Sequence, residues 1–144
     1  MKQVVYSVIP LLLFMLGCEM HERGESSVTV GSTVLRYLAT VTPSPEYPRS
    51  SASAGTQGRA VVSVSYDASG VPVEVTLLES PDADIGAAVS AALHQWRFRP
   101  HPPINGRIPA RTTGRLVFYF AQKNGLATVT DAANSTLAQE LPNQ

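Results

Sequence analysis

The hydrophobic pattern changes period along the chain, and each period predicts an element. From Gly58 the period is two: Ala60, Val62, Val64 and Tyr66 alternate with Arg59, Val61, Ser63 and Ser65, which predicts a strand with one apolar face. Asp67-Ala68-Ser69-Gly70 is a turn, with Asp to open it and Gly to take positive φ. In a second strand Val71, Val73, Val75 and Leu77 face one way and Pro72, Glu74 and Thr76 the other, so the two runs form an antiparallel hairpin. Pro72 cannot donate to a ladder, which places that end of the strand at the edge of the sheet. Between Ser80 and Pro100 the period lengthens. Ile85, Ala88, Val89, Ala92, Leu93 and Trp96 fall on one stripe of a helix. Ser80 is the predicted cap, Pro81 the first helical residue, and Asp82 and Asp84 suit the positive end of the helix dipole. Pro100 forces the chain out of the helix after Arg97-Phe98-Arg99. Asn105-Gly106 marks a turn, and Thr112 to Phe120 is a third strand with Leu116, Phe118 and Phe120 on its apolar face.

Around this frame the signals are weaker. Pro43-Ser44-Pro45-Glu46-Tyr47-Pro48 breaks regular structure and marks a domain boundary. Arg49 to Ala54 makes one or two helical turns opened by Pro48 and ended at Gly55. The order is then helix, strand, strand, helix, strand. It predicts an α+β two-layer sandwich, a three-stranded antiparallel or mixed sheet with one main helix on one face. The simplest sheet puts the first strand in the centre and leaves the third with a free edge. Residues 18–42 read as a tether, although Val34 to Val41 is apolar enough to form an extra strand or pack on the domain. Residues 43–121 are the domain. Residues 122–144 are a polar tail, either disordered or docked through a short helix capped by Asp131.

The first residues belong to neither part. Lys2 gives a positive start, and Val4 to Leu16 runs apolar without a charge. That is too short to span a bilayer as a helix and suits a secretory signal over residues 1–17. The run ends Met15-Leu16-Gly17-Cys18, which resembles the lipobox of bacterial lipoproteins. The resemblance implies cleavage before Cys18 and lipidation of its sulfur. Met15 and Leu16 depart from the usual residues of that motif. Cys18 is the only cysteine, so it cannot form an internal disulfide, and lipidation accounts for an exported thiol. Glu19, rather than Asp, follows it, which by analogy with enterobacterial sorting favours the outer membrane, facing the periplasm.

Composition narrows the chemistry. A chain of 144 residues with 44% hydrophobic residues supports one domain, and 11 Lys and Arg balance 11 Asp and Glu, which argues against nucleic acid as a partner. His21, His94 and His101 lack the spacing to carboxylates, serine or each other that a metal site or acid–base pair needs. The reading is a chain that is not an enzyme, with no metal and no cofactor.

Taken in order, these residues resemble the TonB C-terminal domain family. The matching features are Tyr47-Pro48, Gly55 and Gly58 before a strand, Asp67 with Gly70 in the hairpin turn, and an alanine-rich helix leading into Trp96-Arg97-Phe98-Arg99-Pro100. Gly106 before Ile108-Pro109 and a strand ending in Phe120 follow. Ser51 stands where the family has Ala, and Ile85-Gly86 where it has Leu-Asp. Gly86 lowers helix propensity, which predicts a frayed or shifted helix start. The resemblance implies a periplasmic, protein-binding domain that adds a peptide strand, the TonB box of an outer-membrane receptor, to the edge of its sheet. That edge is Thr112 to Phe120, where Thr113, Arg115, Val117 and Tyr119 would flank the peptide. The alternatives are an edge covered by the tail or by Val34 to Val41, as in a structural or cell-wall-associated envelope domain, and an edge used for a homodimer. A motor-coupled energy transducer would need the N-terminal segment to stay uncleaved in the membrane. Here no proline-rich arm exists, and residues 19–42 reach at most roughly 80 Å.

Overall fold

The structure, a computed structural model, describes residues 25–132. Its elements are β1 (Ser27–Val30), α1 (Ser32–Leu38), β2 (Ala39–Val41), α2 (Arg49–Ser53), β3 (Gly58–Asp67), β4 (Pro72–Glu79), α3 (Ala83–His94), β5 (Arg97–Phe98), β6 (Arg111–Lys123) and β7 (Leu126–Asp131). The fold is α+β with a mixed sheet, as the order of periods predicts. The hairpin and third strand assemble as expected: β3 is central and antiparallel to both β4 and β6. The alternating residues Ala60, Val62, Val64 and Tyr66 of β3 meet Leu116, Phe118 and Phe120 of β6 on one face. Ile85, Val89 and Leu93 of α3 close over them, together with Trp96 and Phe98.

The sheet is larger than predicted. It has five strands rather than three, because β1 pairs in parallel with β6 from Ser27↔Arg111 to Val30↔Gly114, and β7 pairs antiparallel with β6 from Phe118↔Asp131 to Lys123↔Leu126. Both lie on the side of β6 away from β3. The segment read as a tether therefore carries ordered elements from Ser27 onward, and the residues after Phe120 begin with the end of β6 and a further strand. Val34 to Val41 is mostly helix. Leu35 and Leu38 of α1 are buried, Leu35 fully, because that spacing turns two leucines to one helical side. The helix predicted after Asp131 lies, beyond Ala132, outside the described residues, as do the signal segment and Cys18.

Two details of the main helix also differ. Asp82, not Ser80, is the N-cap: its Oδ1 accepts from the Ile85 N–H at 2.8 Å. That bond, with the Ser51 hydroxyl second, lowers the carboxyl's pKa. Ser51 stands buried where the family has Ala, and its hydroxyl makes no well-formed hydrogen bond. Ser80 Oγ instead donates to Asp82 O at 2.6 Å. The helix does not fray at Gly86, which is buried within it. A Cβ there would lie 2.5 Å from Leu77 Cδ2, so glycine leaves room for the end of that side chain, which would otherwise have to turn away.

β4 keeps the predicted alternation only in its middle. Val62 pairs with Leu77 but Val61 with Glu79, and Ser65 with Glu74 but Tyr66 with Pro72. Leu78 and Val73 are thus extra residues in two bulges, and both are exposed. No described strand pairs with the outer side of β4. Pro72, the bulges, and Glu74 and Glu79 blunt that edge against further pairing.

Tyr66 sits wholly inside the core, its ring stacked on Phe98 at 4.3 Å. Its hydroxyl makes no well-formed hydrogen bond. Burial raises its pKa above the usual tyrosine value, and a weaker contact with the Thr112 hydroxyl acts the other way. A raised folded-state pKa means that the unfolded chain loses this proton first. The stabilisation is present below the ordinary tyrosine pKa of about 10 and is lost as pH rises from there through the folded value. Tyr66→Phe is expected to flatten this alkaline fall in stability, measured as urea midpoints between neutral pH and the alkaline limit. An unchanged slope would place the titration on another group.

Candidate functional site

The candidate site is built on β6, and the residues that hold β6 in place are those of the sequence motif. Trp96, 2% exposed, ends the helix stripe. Its Nε1 donates to Pro43 O at 3.0 Å, and its ring meets Phe118 of β6 edge-on at 6.1 Å. Phe98 N donates to Gly70 O at 2.9 Å, tying β5 to the hairpin turn. In that turn Asp67 Oδ1 accepts from the Ser69 and Val71 N–H groups at 2.9 and 3.1 Å. Arg97 lies exposed and donates from Nη1 to His94 O at 3.1 Å and to Trp96 O at 2.6 Å, satisfying carbonyls at the C-terminal end of α3. The Tyr47 ring packs edge-on against Phe120 at 5.3 Å, and its hydroxyl donates to Thr56 O. Pro48 is the N-cap of α2, Gly58 opens β3 against Pro81, and Pro100 is exposed beyond β5. Gly106 follows Asn105 in a two-residue turn with both φ positive, closed by mutual bonds between Ile104 and Arg107. The motif is a set of fastenings around one strand.

The edge of that strand is not free, which corrects the three-stranded expectation. The backbone of Arg111–Gly114 is paired by β1 and that of Phe118–Lys123 by β7. The paired cover comes partly from the tail, as one alternative held, and partly from Ser27–Val30, while Val34–Val41 contributes the Arg36 side chain rather than a strand. Between the two strands no described strand pairs with Arg115–Val117. There Arg36 of α1 reaches across, its Nη2 3.5 Å from Val117 O and its guanidinium paired with the Asp131 carboxylate of β7. Burial pushes the Arg36 pKa down to about 10, still far enough above neutrality to leave it charged. Thr113, Arg115, Val117 and Tyr119 are the outward residues of β6, as the alternation predicts. They project from the face opposite the helices, where Thr113 Oγ1 meets Ser65 Oγ at 2.7 Å and Arg115 lies opposite Ser63. An open cleft of about 450 Å³ runs along the break between β1 and β7, lined by Thr29, Gly31, Ser63, Thr113, Arg115 and Val117 among others.

Sequence reading missed Glu25, Arg36 and Asp131. An acidic residue before a short β-prone run is a faint signal for β1, and Arg36 inside an apolar segment a better one. Among the described residues no group of three His, Cys, Asp or Glu gathers as a metal site, and no helix is long and apolar enough to cross a membrane. Asp82 caps α3 and Asp84 accepts from Ser50.

The described residues form an α+β layer of helices on a mixed sheet in which β6 is paired on both sides. Residues 43–121 match the family model described as Gram-negative bacterial TonB protein C-terminal, and the chain belongs to that family. The family consists of non-catalytic interaction modules of outer-membrane transport systems in the Gram-negative envelope. No curated protein sequence matches the chain. Among solved structures, the solution NMR structure of Pseudomonas aeruginosa TonB CTD is similar at 24% identity and a TM-score of 0.48, over 60% of this chain and 86% of that one.

Proposed function

We infer that this chain is an exported lipoprotein, anchored through Cys18 to the periplasmic face of the outer membrane. Its domain binds envelope proteins by strand addition at β6. The observation that carries the binding mode is the outer side of β6 itself. That edge takes one strand in parallel and one antiparallel, with three residues between them that neither covers. The anchor rests on the apolar run that ends at Gly17-Cys18 and on Glu19 after it. The partner is an extended segment of an outer-membrane receptor, the TonB box being the family's example.

A second reading has a specific observation behind it. β1 and β7 occupy most of the edge, as expected of an envelope domain that works through another surface. Photo-crosslinkers placed at Val117 and at Thr76 on β4 separate the two. Strand addition predicts receptor adducts from Val117 only.

The anchor is tested by intact mass and membrane fractionation of the native protein beside Cys18→Ala. The expected result is a mass beginning at Cys18 plus acyl chains in the outer-membrane fraction, with accumulation of unprocessed precursor in the variant. An unprocessed native mass in the inner membrane would overturn the anchor and favour a transducer with an uncleaved segment.

A further inference from the structure

β1 and its neighbour α1 are held very differently. α1 and β2 are fastened by the buried Leu35 and Leu38, by Arg99 N to Leu38 O at 2.6 Å, by Arg99 Nη2 to Tyr37 O at 2.5 Å and by Thr40 Oγ1 to Arg97 O at 3.1 Å. β1 has four residues and none is fully buried. Val28 and Val30 turn toward the helix side and are half-covered, whereas Ser27 and Thr29 are exposed. Beyond its ladder β1 is held by Val30, which packs on the margin of the core, by Ser26, whose O accepts from Ala110 N and Arg111 N and whose Oγ lies 3.3 Å from Ala110 N, and by Glu25, whose carboxylate lies 3.5 Å from Arg111 at an exposed position. An exposed ion pair adds little. Gly31, with no atom within 4 Å of a Cβ built on it, separates this strand from the fastened helix.

The position of β1 matters more than its weakness. The chain turns into α1 at Ser32, so β1 cannot follow β6 beyond Gly114. With β1 lifted, Arg111–Gly114 joins the unpaired Arg115–Val117 into one edge of seven residues, longer than an average strand of about 5–6 residues. Resting on the strand-addition reading above, we propose that β1 is a built-in, releasable cover of that edge, and that a longer extended peptide displaces it in parallel. The partner has an acidic residue placed to meet Arg111, then alternating β-branched and small hydroxyl residues, as in Glu25-Ser26-Ser27-Val28-Thr29-Val30, continued by about three more residues to reach Val117. The length difference sets the selectivity. A tethered segment competes at high local concentration, so another copy's four-residue strand gains nothing over β1, whereas a seven-residue strand makes pairings that β1 cannot. Arg36 gates the last of these, because its contact with Val117 O must yield to the incoming backbone.

Two measurements on the full chain test this. In amide hydrogen exchange of the wild type, the β1 amides are expected to exchange at least about a hundredfold faster than those of β3 paired with β6. In fluorescence polarisation, the nine-residue probe Glu-Ser-Ser-Val-Thr-Val-Thr-Val-Thr is expected to bind about tenfold tighter than its first six residues alone. Val28→Asp with Val30→Asp, which weakens β1 in place, is expected to tighten the nine-residue probe by a further factor of about ten. Exchange of β1 as slow as that of β3 overturns the proposal, as does global unfolding of the double variant, since β1 would then be integral to the domain. Fast exchange without probe binding overturns strand addition itself. Probe binding with β1 still protected overturns displacement alone. A stable wild-type dimer that the double variant abolishes overturns the external partner in favour of exchange between copies.

Discussion

Trp96→Ala is expected to cost about 3–5 kcal/mol, the range for removing a large buried aromatic side chain. The indole is 2% exposed and touches Phe98 and Phe118, so its loss leaves a cavity between the end of α3 and β6. It also leaves Pro43 O without its donor. Against a total stability of roughly 5–15 kcal/mol for a typical domain, this single change removes about a fifth at the least and all of it at the most. Equilibrium urea unfolding followed by far-UV circular dichroism measures it, because the variant has no tryptophan left to report. Trp96→Phe separates the two contributions. It keeps an aromatic ring and loses the hydrogen bond, and is expected to cost only about 1–2 kcal/mol. If both variants fall within about 0.5 kcal/mol of the wild type, as surface substitutions do, Trp96 does not hold the helix exit to β6.

Gly70→Ala is the second large effect, expected at about 2–5 kcal/mol from two causes acting together. Gly70 has φ of 84°, and a Cβ there would stand 1.9 Å from Phe98 O. The positive φ alone costs an L-residue about 1–2 kcal/mol. The overlap is with backbone rather than with the end of a flexible side chain, so β5 must move away from the hairpin turn and give up the Phe98 N to Gly70 O bond. Gly106→Ala is the control. Its φ is 77°, but a Cβ would meet nothing within 4 Å, so it should show the conformational cost without the collision. Urea midpoints for the two variants side by side decide the matter. Equal losses would mean that the turn and β5 are not locked together.

Both residues were conspicuous in the sequence because each is needed for a local reason. Trp96 completes an apolar stripe of period 3.6, and Gly70 ends an Asp-led turn between two alternating runs. The same holds for the alternating residues of β3 and for Leu116, Phe118 and Phe120 of β6. Their core role follows from which side of a pleat or helix they occupy. The Asn105-Gly106 turn and the short helix after Pro48 were legible for the same reason. Where two local signals competed, the reading slipped. Ser80 and Asp82 can both cap a helix, and only the packing of α3 on β4 selects Asp82, with Gly86 admitting Leu77. Val34 to Val41 has the composition of a strand, yet its leucines sit three apart and find a core on one side.

The candidate site was legible only in part. That β6 is the strand on which an interaction edge is built followed from the motif around it. That the edge is occupied did not, because β1 is four residues of ordinary polarity lying more than 80 positions before their partners. The short alternation of Ser27–Val30 is too faint a signal to distinguish a strand from a tether. Its pairing depends on an unsatisfied backbone row that exists only after β3 and β6 have joined. Arg36 is the same case. Its reach to Val117 O and Asp131 joins three segments distant in sequence. The sequence by itself determined α2, β3, β4, α3 and β6 and the core they share, since these depend on the side-chain period within one segment. Only the tertiary structure decided what covers the edge of β6, since which distant segments pair through their backbones is set by geometry that neither segment's own pattern specifies.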